Sequence, residues 1–332
     1  MITGATGLVG FHAAVALARA GHETRCLVRS EEKLRHAFAK TSVPVPDFVV
    51  GDMTDPEAVA AGFEGCDAVL HAAGLVSIEA KRAGEVMATN SRGTELVIGG
   101  AVERGLQHIA YVSSLGAIFD PWGDETHADG PIIEAENGYS RAKAHCEAYV
   151  RRLQDQGAPI ATIYPSGIHG PDDPGLSEAN HALIIFVRTC IFTTSGGYMC
   201  VDVRDLADAL VAMLASGRTR RVIAAGHFLP WPALGDLLTG ITGRPIRRIP
   251  GPGWMFRGLG VAGDFARRIV PFDFPLTREA MTFVTRFRPV ENSPELEALG
   301  VTWRPTRETF SDSLRWLIAE GHLDRNRAPG LG

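Results

Sequence analysis

The chain has 332 residues, 45% hydrophobic and 21% charged, with 33 Lys and Arg against 38 Asp and Glu for a formal charge of −5. That length exceeds what one core usually supports, so a main domain with a smaller appended region is expected, and the lack of a basic excess argues against a nucleic-acid partner. Five cysteines (Cys26, Cys66, Cys146, Cys190 and Cys200) are odd in number and never in C-x-x-C spacing, which disfavours a disulfide framework or structural zinc and suits a reducing, cytoplasmic compartment. No apolar run reaches the roughly 18 residues of a membrane span and no signal segment opens the chain, which leaves only peripheral contact with a membrane open.

In chain order, only three residues precede Gly4, which implies either a short first strand or a start upstream. Gly4, Gly7 and Gly10 then form G-x-x-G-x-x-G ahead of an amphipathic segment, 8–20. Short β-branched runs at 23–28, 47–50, 68–72, 108–112 and 159–164 alternate with helical patterns at 8–20, 31–39, 56–62, 84–104 and 139–156. This alternation predicts an α/β, doubly wound parallel sheet with helices on both faces. After residue 164 the rhythm breaks into a Gly/Pro/Asp loop at 167–175 and an apolar helical run at 181–192. A helix at 202–214, entered from a strand, suggests that the sheet resumes there. The expected organisation is a dinucleotide-binding domain over 1–166, a substrate-region insertion over 167–198 and a return to the sheet over 199–230. A small, mostly helical substrate-binding region over 231–324 and a frayed tail over 325–332 complete it.

Glycines before a helix permit a tight turn and let backbone N–H groups approach a pyrophosphate at the positive end of the helix dipole. About twenty residues on, where an NAD-preferring fold places an acid on the ribose, the second strand ends in Arg29 and Ser30. Arg29 suits a 2′-phosphate and hence NADP, with NAD the alternative; the plainer reading is a solvated surface arginine. Tyr139 and Lys143 are four residues apart on a helix and share a face, where an ammonium can stabilise a phenolate in a general acid or base. Ser113 and Ser114 end the fourth long strand, at the edge where open α/β sheets bind ligands.

The ordered motifs resemble those of extended short-chain dehydrogenases/reductases, the group that includes dihydroflavonol reductases, 3β-hydroxysteroid dehydrogenases and sugar-nucleotide epimerases. They are Thr3-Gly-Ala-Thr-Gly-Leu-Val-Gly10, Gly51-Asp52, His71-Ala-Ala-Gly74, Asn90-Ser-Arg-Gly-Thr94, Tyr111-Val-Ser-Ser114, Tyr139-Ser-Arg-Ala-Lys143, Tyr164-Pro-Ser-Gly-Ile-His-Gly-Pro171 and Val201-Asp-Val-Arg-Asp205. The resemblance implies a Rossmann fold over nearly the whole chain and cofactor contacts at Gly4, Thr6, Gly7, Leu8 and Val9. It further implies Asp52 and Met53 beside the adenine, Ala72, Ala73 and Gly74 along the cofactor, and Pro165 to Ile168 near the carboxamide. Tyr139 is then the catalytic acid/base, and Lys143 supports its phenolate and binds the nicotinamide ribose. Ser114, which a gapless match favours over Ser113, polarises the substrate oxygen. Asn90 is expected to order the surroundings of the catalytic helix through water.

Within that group, Leu115-Gly116 stand where 4,6-dehydratases carry an Asp-Glu pair, which argues against dehydration. Gly197-Tyr-Met-Cys200 replaces the Arg-Asp-Phe stretch with which epimerases engage a diphosphate. Ile184, Ile185, Phe186, Ile191, Phe192, Phe119 and Trp122 are core by default; any that line the crevice favour a hydrophobic carbonyl or alcohol as substrate. The reading is an NAD(P)-dependent oxidoreductase acting on a small molecule. The alternatives are a sugar-nucleotide epimerase and a non-catalytic dinucleotide sensor, and a homodimer is compatible with each. His169 reads as a loop histidine and Cys146 as a small buried apolar residue. The stretch 254–274, with Arg257, Arg267 and Arg268 among aromatics, reads as a substrate lid rather than a membrane contact.

Overall fold

Alternating strand and helix periodicities build the first half of the molecule. β1 (Ile2–Thr3), α1 (Leu8–Arg19), β2 (Arg25–Val28), α2 (Glu31–Phe38), β3 (Asp47–Val50), α3 (Pro56–Phe63), β4 (Ala68–His71), α4 (Ala83–Thr94), α5 (Gly100–Glu103), β5 (His108–Val112), α6 (Gly138–Asp155) and β6 (Ile160–Pro165) follow in order. The structure, a computed structural model, describes residues 1–76, 82–123, 125–133, 138–266 and 277–331. Local chemistry sets the helix starts: the Ser30 side chain accepts the Lys33 N–H, and Asp55 accepts from Glu57 and Ala58 with Pro56 in the first turn. The helical pattern expected over 84–104 is interrupted by a π turn, Glu95–Gly99, between α4 and α5.

The chain continues through β7 (Gly167–His169), α7 (Glu178–Arg188), β8 (Ile191–Thr193), β9 (Gly197–Asp202), α8 (Val203–Ser216) and β10 (Arg221–Ala224). Strands β1 to β6 and β10 form one parallel sheet in the order β10-β6-β5-β4-β1-β2-β3. The order reverses between β1 and β4, and that switch point opens the crevice in which such sheets bind ligands. Successive residues face opposite sides. Leu70 and Ala110 join one core with Phe11, Leu34 and Leu206, while Val69 and Ile109 join the other with Phe63, Ile98 and Val150.

The strand before α8 departs from expectation, because β9 does not enter the large sheet. It pairs in parallel with β7 and antiparallel with β11 (His227–Pro230). The chain leaves the large sheet at two adjacent points. One is Ser166, whose hydroxyl donates to the Ala225 carbonyl at 2.7 Å, and the other is Gly226, with φ +67°. A Cβ at Gly226 would lie 2.0 Å from the Cys200 carbonyl oxygen, so only glycine lets the chain cross β9 there.

The remaining elements are α9 (Trp231–Thr242), β12 (Arg248–Pro250), α10 (Gly253–Ala266), α11 (Arg278–Arg286), α12 (Pro294–Ala298) and α13 (Thr306–Ala319). The helix expected over 181–192 stops at Arg188, and the β-branched stretch after it pairs with β12 instead. Leu183, Ile184, Ile191, Trp231, Leu238, Phe310 and Leu314 form a third core. The tail is packed rather than frayed: Ala328 is buried, and Gly330 lies so close to Ile241 and Gly243 that a Cβ would sit 2.8 Å from their backbone. Among the described residues no helix is long and apolar enough to cross a membrane. Part of the lid expected over 254–274, Arg267 and Arg268 included, lies outside the described residues.

Candidate active site

The glycine turn sits at the switch point. Gly4 has φ +82°, and a Cβ there would stand 2.8 Å from the Ala73 nitrogen; one on Gly10 would stand 2.3 Å from the Gly4 carbonyl oxygen. These two glycines let α1 press onto the turn and let the turn press onto the end of β4. α1 starts at Gly7 with no side-chain cap and no acid in its first turn, so the N–H groups of Leu8 and Val9 are left to an anion. Thr6 lies within the same turn.

Behind the turn, His71 is fully buried. Its Nδ1 lies 2.7 Å from Thr3 Oγ1, which also accepts the Ala73 N–H at 3.2 Å, and its Nε2 lies 3.4 Å from Thr94 Oγ1. Burial, then the nearby Lys143 ammonium, pushes its pKa down to about 3, so the ring is neutral. This chain fixes Ala72 and Ala73 beside Gly4. Asn90 accepts the Leu75 N–H at 2.7 Å and donates to the Leu75 carbonyl at 3.0 Å. Gly74 is thereby held where a Cβ would lie 3.8 Å from Lys143 Nζ.

At the β5 edge the two serines turn to opposite faces. Ser113 is buried and donates to Glu147 at 2.8 Å. Ser114 is half-buried, and its Oγ accepts the Gly116 N–H at 3.1 Å. Lys143 is buried and donates to the Val112 carbonyl at 3.0 Å, with Nζ 5.9 Å from the Tyr139 ring centre and 5.6 Å from that of Tyr111. The Tyr139 hydroxyl makes no hydrogen bond among the described residues. The end of β5 and the start of α6 therefore gather Ser114, Tyr139 and Lys143, with Gly74 alongside.

The profile of the NAD dependent epimerase/dehydratase family matches residues 1–226, two thirds of the chain. The chain belongs to that family. Across 97% of its length it is 26% identical to sterol demethylase protein B of Methylococcus capsulatus, covering 99% of that protein. It is also 32% identical over 219 residues to 4-hydroxy-2-methyl-3-oxo-4-farnesyl-3,4-dihydroquinoline-1-oxide ketoreductase of Stigmatella aurantiaca, covering 64% of this chain and 62% of that one. Its fold superposes on a nucleoside-diphosphate-sugar epimerase of Pseudomonas aeruginosa with a TM-score of 0.76 at 21% identity, over 97% of this chain and 98% of the other. The protein is accordingly an extended short-chain dehydrogenase/reductase and an NAD(P)-dependent enzyme.

For this family member, other expected residues scatter around the core of the site. Asp52, at the end of β3, accepts the Thr54 N–H and hydroxyl at 2.9 and 2.7 Å, and Met53 packs on Gly93. Arg29 is exposed beyond β2 without a partner among the described residues. Pro165 is buried at the end of β6 and Ile168 half-buried in β7. His169 is neither on a loop nor free. It is buried in β7 with Nε2 2.8 Å from the Tyr198 hydroxyl and Nδ1 3.4 Å from Asn180, and burial holds its pKa down at about 4. Ile184, Ile191 and Phe119 are buried in cores, Phe192 stacks on Phe256 at 4.7 Å, and Trp122 is 63% exposed beneath Arg257 and Arg286. Cys146 is buried.

The sequence reading missed Glu147 and Arg151. Glu147 is fully buried and accepts from Ser113, from Arg151 at 2.9 Å and from the Tyr164 hydroxyl; Arg151 donates on to the Gly130 and Ala128 carbonyls. Burial beside the Glu147 carboxylate drives the Tyr164 phenol up, which keeps it a donor. The available signal was spacing: Tyr139, Lys143, Glu147 and Arg151 recur every fourth residue along one side of α6.

Proposed function

We propose that the protein is an NADP-preferring oxidoreductase that interconverts a ketone and an alcohol on a hydrophobic small molecule in the cytoplasm. The observation that carries this is the disposition at β5 and α6: Glu147 withdraws the Ser113 hydroxyl, so Ser114 is the serine left at the ligand edge, with Tyr139 and Lys143 beside it. When bound, the nicotinamide supplies or accepts the hydride at the carbinol carbon. In the reducing direction Ser114 donates to the carbonyl oxygen, and Tyr139 delivers its hydroxyl proton to that oxygen as its charge grows. The Lys143 ammonium then stabilises the phenolate until solvent returns a proton. Reversal of each step oxidises the alcohol. The cradle fits a dinucleotide, since a Cβ at Gly4 or Gly10 would meet backbone and no acid stands in the first turn of α1. Arg29 supports the 2′-phosphate.

The apolar residues first considered for a hydrophobic crevice are largely core, so support for a hydrophobic substrate now comes from the sterol and farnesyl-quinoline names of the relatives. The five unpaired cysteines support the cytoplasmic placement. The test is a panel of aryl, steroid and prenylated ketones with nucleotide sugars as controls, followed at the NAD(P)H absorbance band. Tyr139→Phe is expected to lower kcat about 10²- to 10⁴-fold on any substrate found while leaving cofactor affinity intact. Full turnover by this variant overturns the mechanism, and sugar interconversion without net absorbance change overturns the reaction class.

A further inference from the structure

We propose that Glu279, on α11 of the C-terminal region, is a positioning residue that clamps the first turn of α6 and so sets Tyr139 in place relative to Ser114. Ser140, the third residue of α6 and the neighbour of Tyr139, donates its hydroxyl to Glu279 at 2.5 Å. The first N–H groups of a helix have no acceptor within it and carry the positive end of its dipole, so a carboxyl brought there from another element acts as a cap. Glu279 is half-buried, and burial raises its pKa although the Ser140 hydroxyl opposes the shift.

A second contact on α11 makes this more than a surface hydrogen bond. Phe283 lies one helical turn beyond Glu279, and Phe287 one turn further. Both pack on Phe119, with ring centres 6.0 and 4.5 Å away, and Arg288 lies 5.0 Å above the same ring. Phe119 belongs to the short loop that begins at Ser114, and its ring is fully buried. One side of α11 thus grips both arms of the candidate pair, the serine loop through Phe119 and the tyrosine helix through Ser140. The arms approach each other closely: a Cβ on Gly116 would lie 3.3 Å from Ser140 Oγ and 3.4 Å from Ser114 Oγ. A shift of α11 would therefore separate the serine from the tyrosine. Seating of the C-terminal region is in this way coupled to assembly of the reactive groups, whereas the glycine turn at β1 and α1 lies outside the clamp.

The inference rests on the reading of Tyr139 as acid/base, so its test includes a readout that does not depend on that reading. In the full-length chain, Glu279→Ala should speed hydrogen exchange of the amides at 138–143 about five- to tenfold, the size of a lost helix cap, and Glu279→Gln, which keeps an acceptor oxygen, should fall between it and wild type. NADPH affinity by calorimetry should stay within about twofold, because the glycine turn is untouched. On a ketone that the wild type reduces, kcat should fall about tenfold with the KM for NADPH unchanged, and Ser140→Ala should give the same loss and add nothing to Glu279→Ala. Unchanged exchange at 138–143 in Glu279→Ala overturns the clamp. So does faster exchange spread evenly over 253–319, or additive losses in the double variant. If Tyr139→Phe remains active while the exchange result holds, the mechanism fails and the clamp stands.

Discussion

Two helices begin at the same edge of the large sheet and are held by opposite means. α1 starts on a turn from which side chains have been removed: Gly4 and Gly10 have no room for a Cβ, and Gly7 offers no cap. α6 starts on Gly138 and carries Tyr139, Lys143, Glu147 and Arg151 down one side; among the described residues each has a partner across the fold except the tyrosine hydroxyl. The first region depends on backbone geometry, which one nearby side chain cannot easily disturb. The second depends on a buried polar network, in which each lost partner leaves another group stranded. Removing a side chain should therefore cost more at the catalytic end than at the glycine turn.

The largest expected effect tests that difference at Glu147. Glu147→Ala leaves Arg151 without its carboxylate and frees Ser113 and Tyr164 in a dry interior, at a cost of roughly 3–5 kcal/mol in unfolding free energy by denaturant titration. Glu147→Gln should cost less in stability, because the amide oxygen still accepts from Arg151 and Tyr164 while its N–H turns the Ser113 hydroxyl from donor into acceptor. A loss below about 1 kcal/mol in Glu147→Ala would show that the network does not hold the β5 edge.

Acid tests the other region, because His71 is the buried titratable group behind the glycine turn. Its folded pKa of about 3 lies below the unfolded value of 6.5, so the unfolded chain binds more protons between the two. The stabilising contribution is complete above pH 6.5 and is lost as the pH falls through that window. At pH 5.0 the loss from His71 alone is about 2 kcal/mol at 1.36 kcal/mol per pKa unit. His169, held at about 4 in β7, adds a loss of the same sign. His71→Gln should flatten, but not abolish, the decline in melting temperature between pH 7.5 and 5.0. A curve parallel to the wild type would mean that His71 is not the neutral, buried ring that fixes Thr3 and Ala73.

How much of this was legible depended on whether a residue's partner lies close in sequence. The glycine spacing, the Tyr139 and Lys143 pair and the strand ending at Ser114 are local patterns, and the helix starts at Ser30 and Asp55 follow from single side chains. Glu147 reads as an ordinary surface glutamate on a helix until β5 is known to bring Ser113 against it from 34 positions away. His169 reads as a loop histidine because nothing near it in sequence shows Tyr198 and Asn180 closing over it, whereas Phe119, core by default, is buried against Phe287. The departure of β9 from the large sheet is hidden for the same reason, since its pairing with β7 and β11 is a long-range choice that strand propensity does not encode.

The smallest effect expected is at Arg29, the one side-chain charge proposed for cofactor choice near the glycine turn. Arg29 is exposed, and the neighbouring Ser30 is committed to capping α2. The first turn of α2 also holds Glu31 and Glu32; Glu31 is paired with Arg35 at 2.7 Å, while both acids repel a 2′-phosphate. The arginine thus works against local negative charge in high dielectric, where an ion pair is worth little and salt screens it. Arg29→Asp should shift the ratio of NADPH to NADH affinity by about tenfold, or 1.4 kcal/mol, measured by calorimetry at low salt. The shift should shrink as ionic strength rises, because the pair is exposed; a salt-independent preference would place the discriminating contact inside the crevice, and an unchanged ratio would remove Arg29 from cofactor choice.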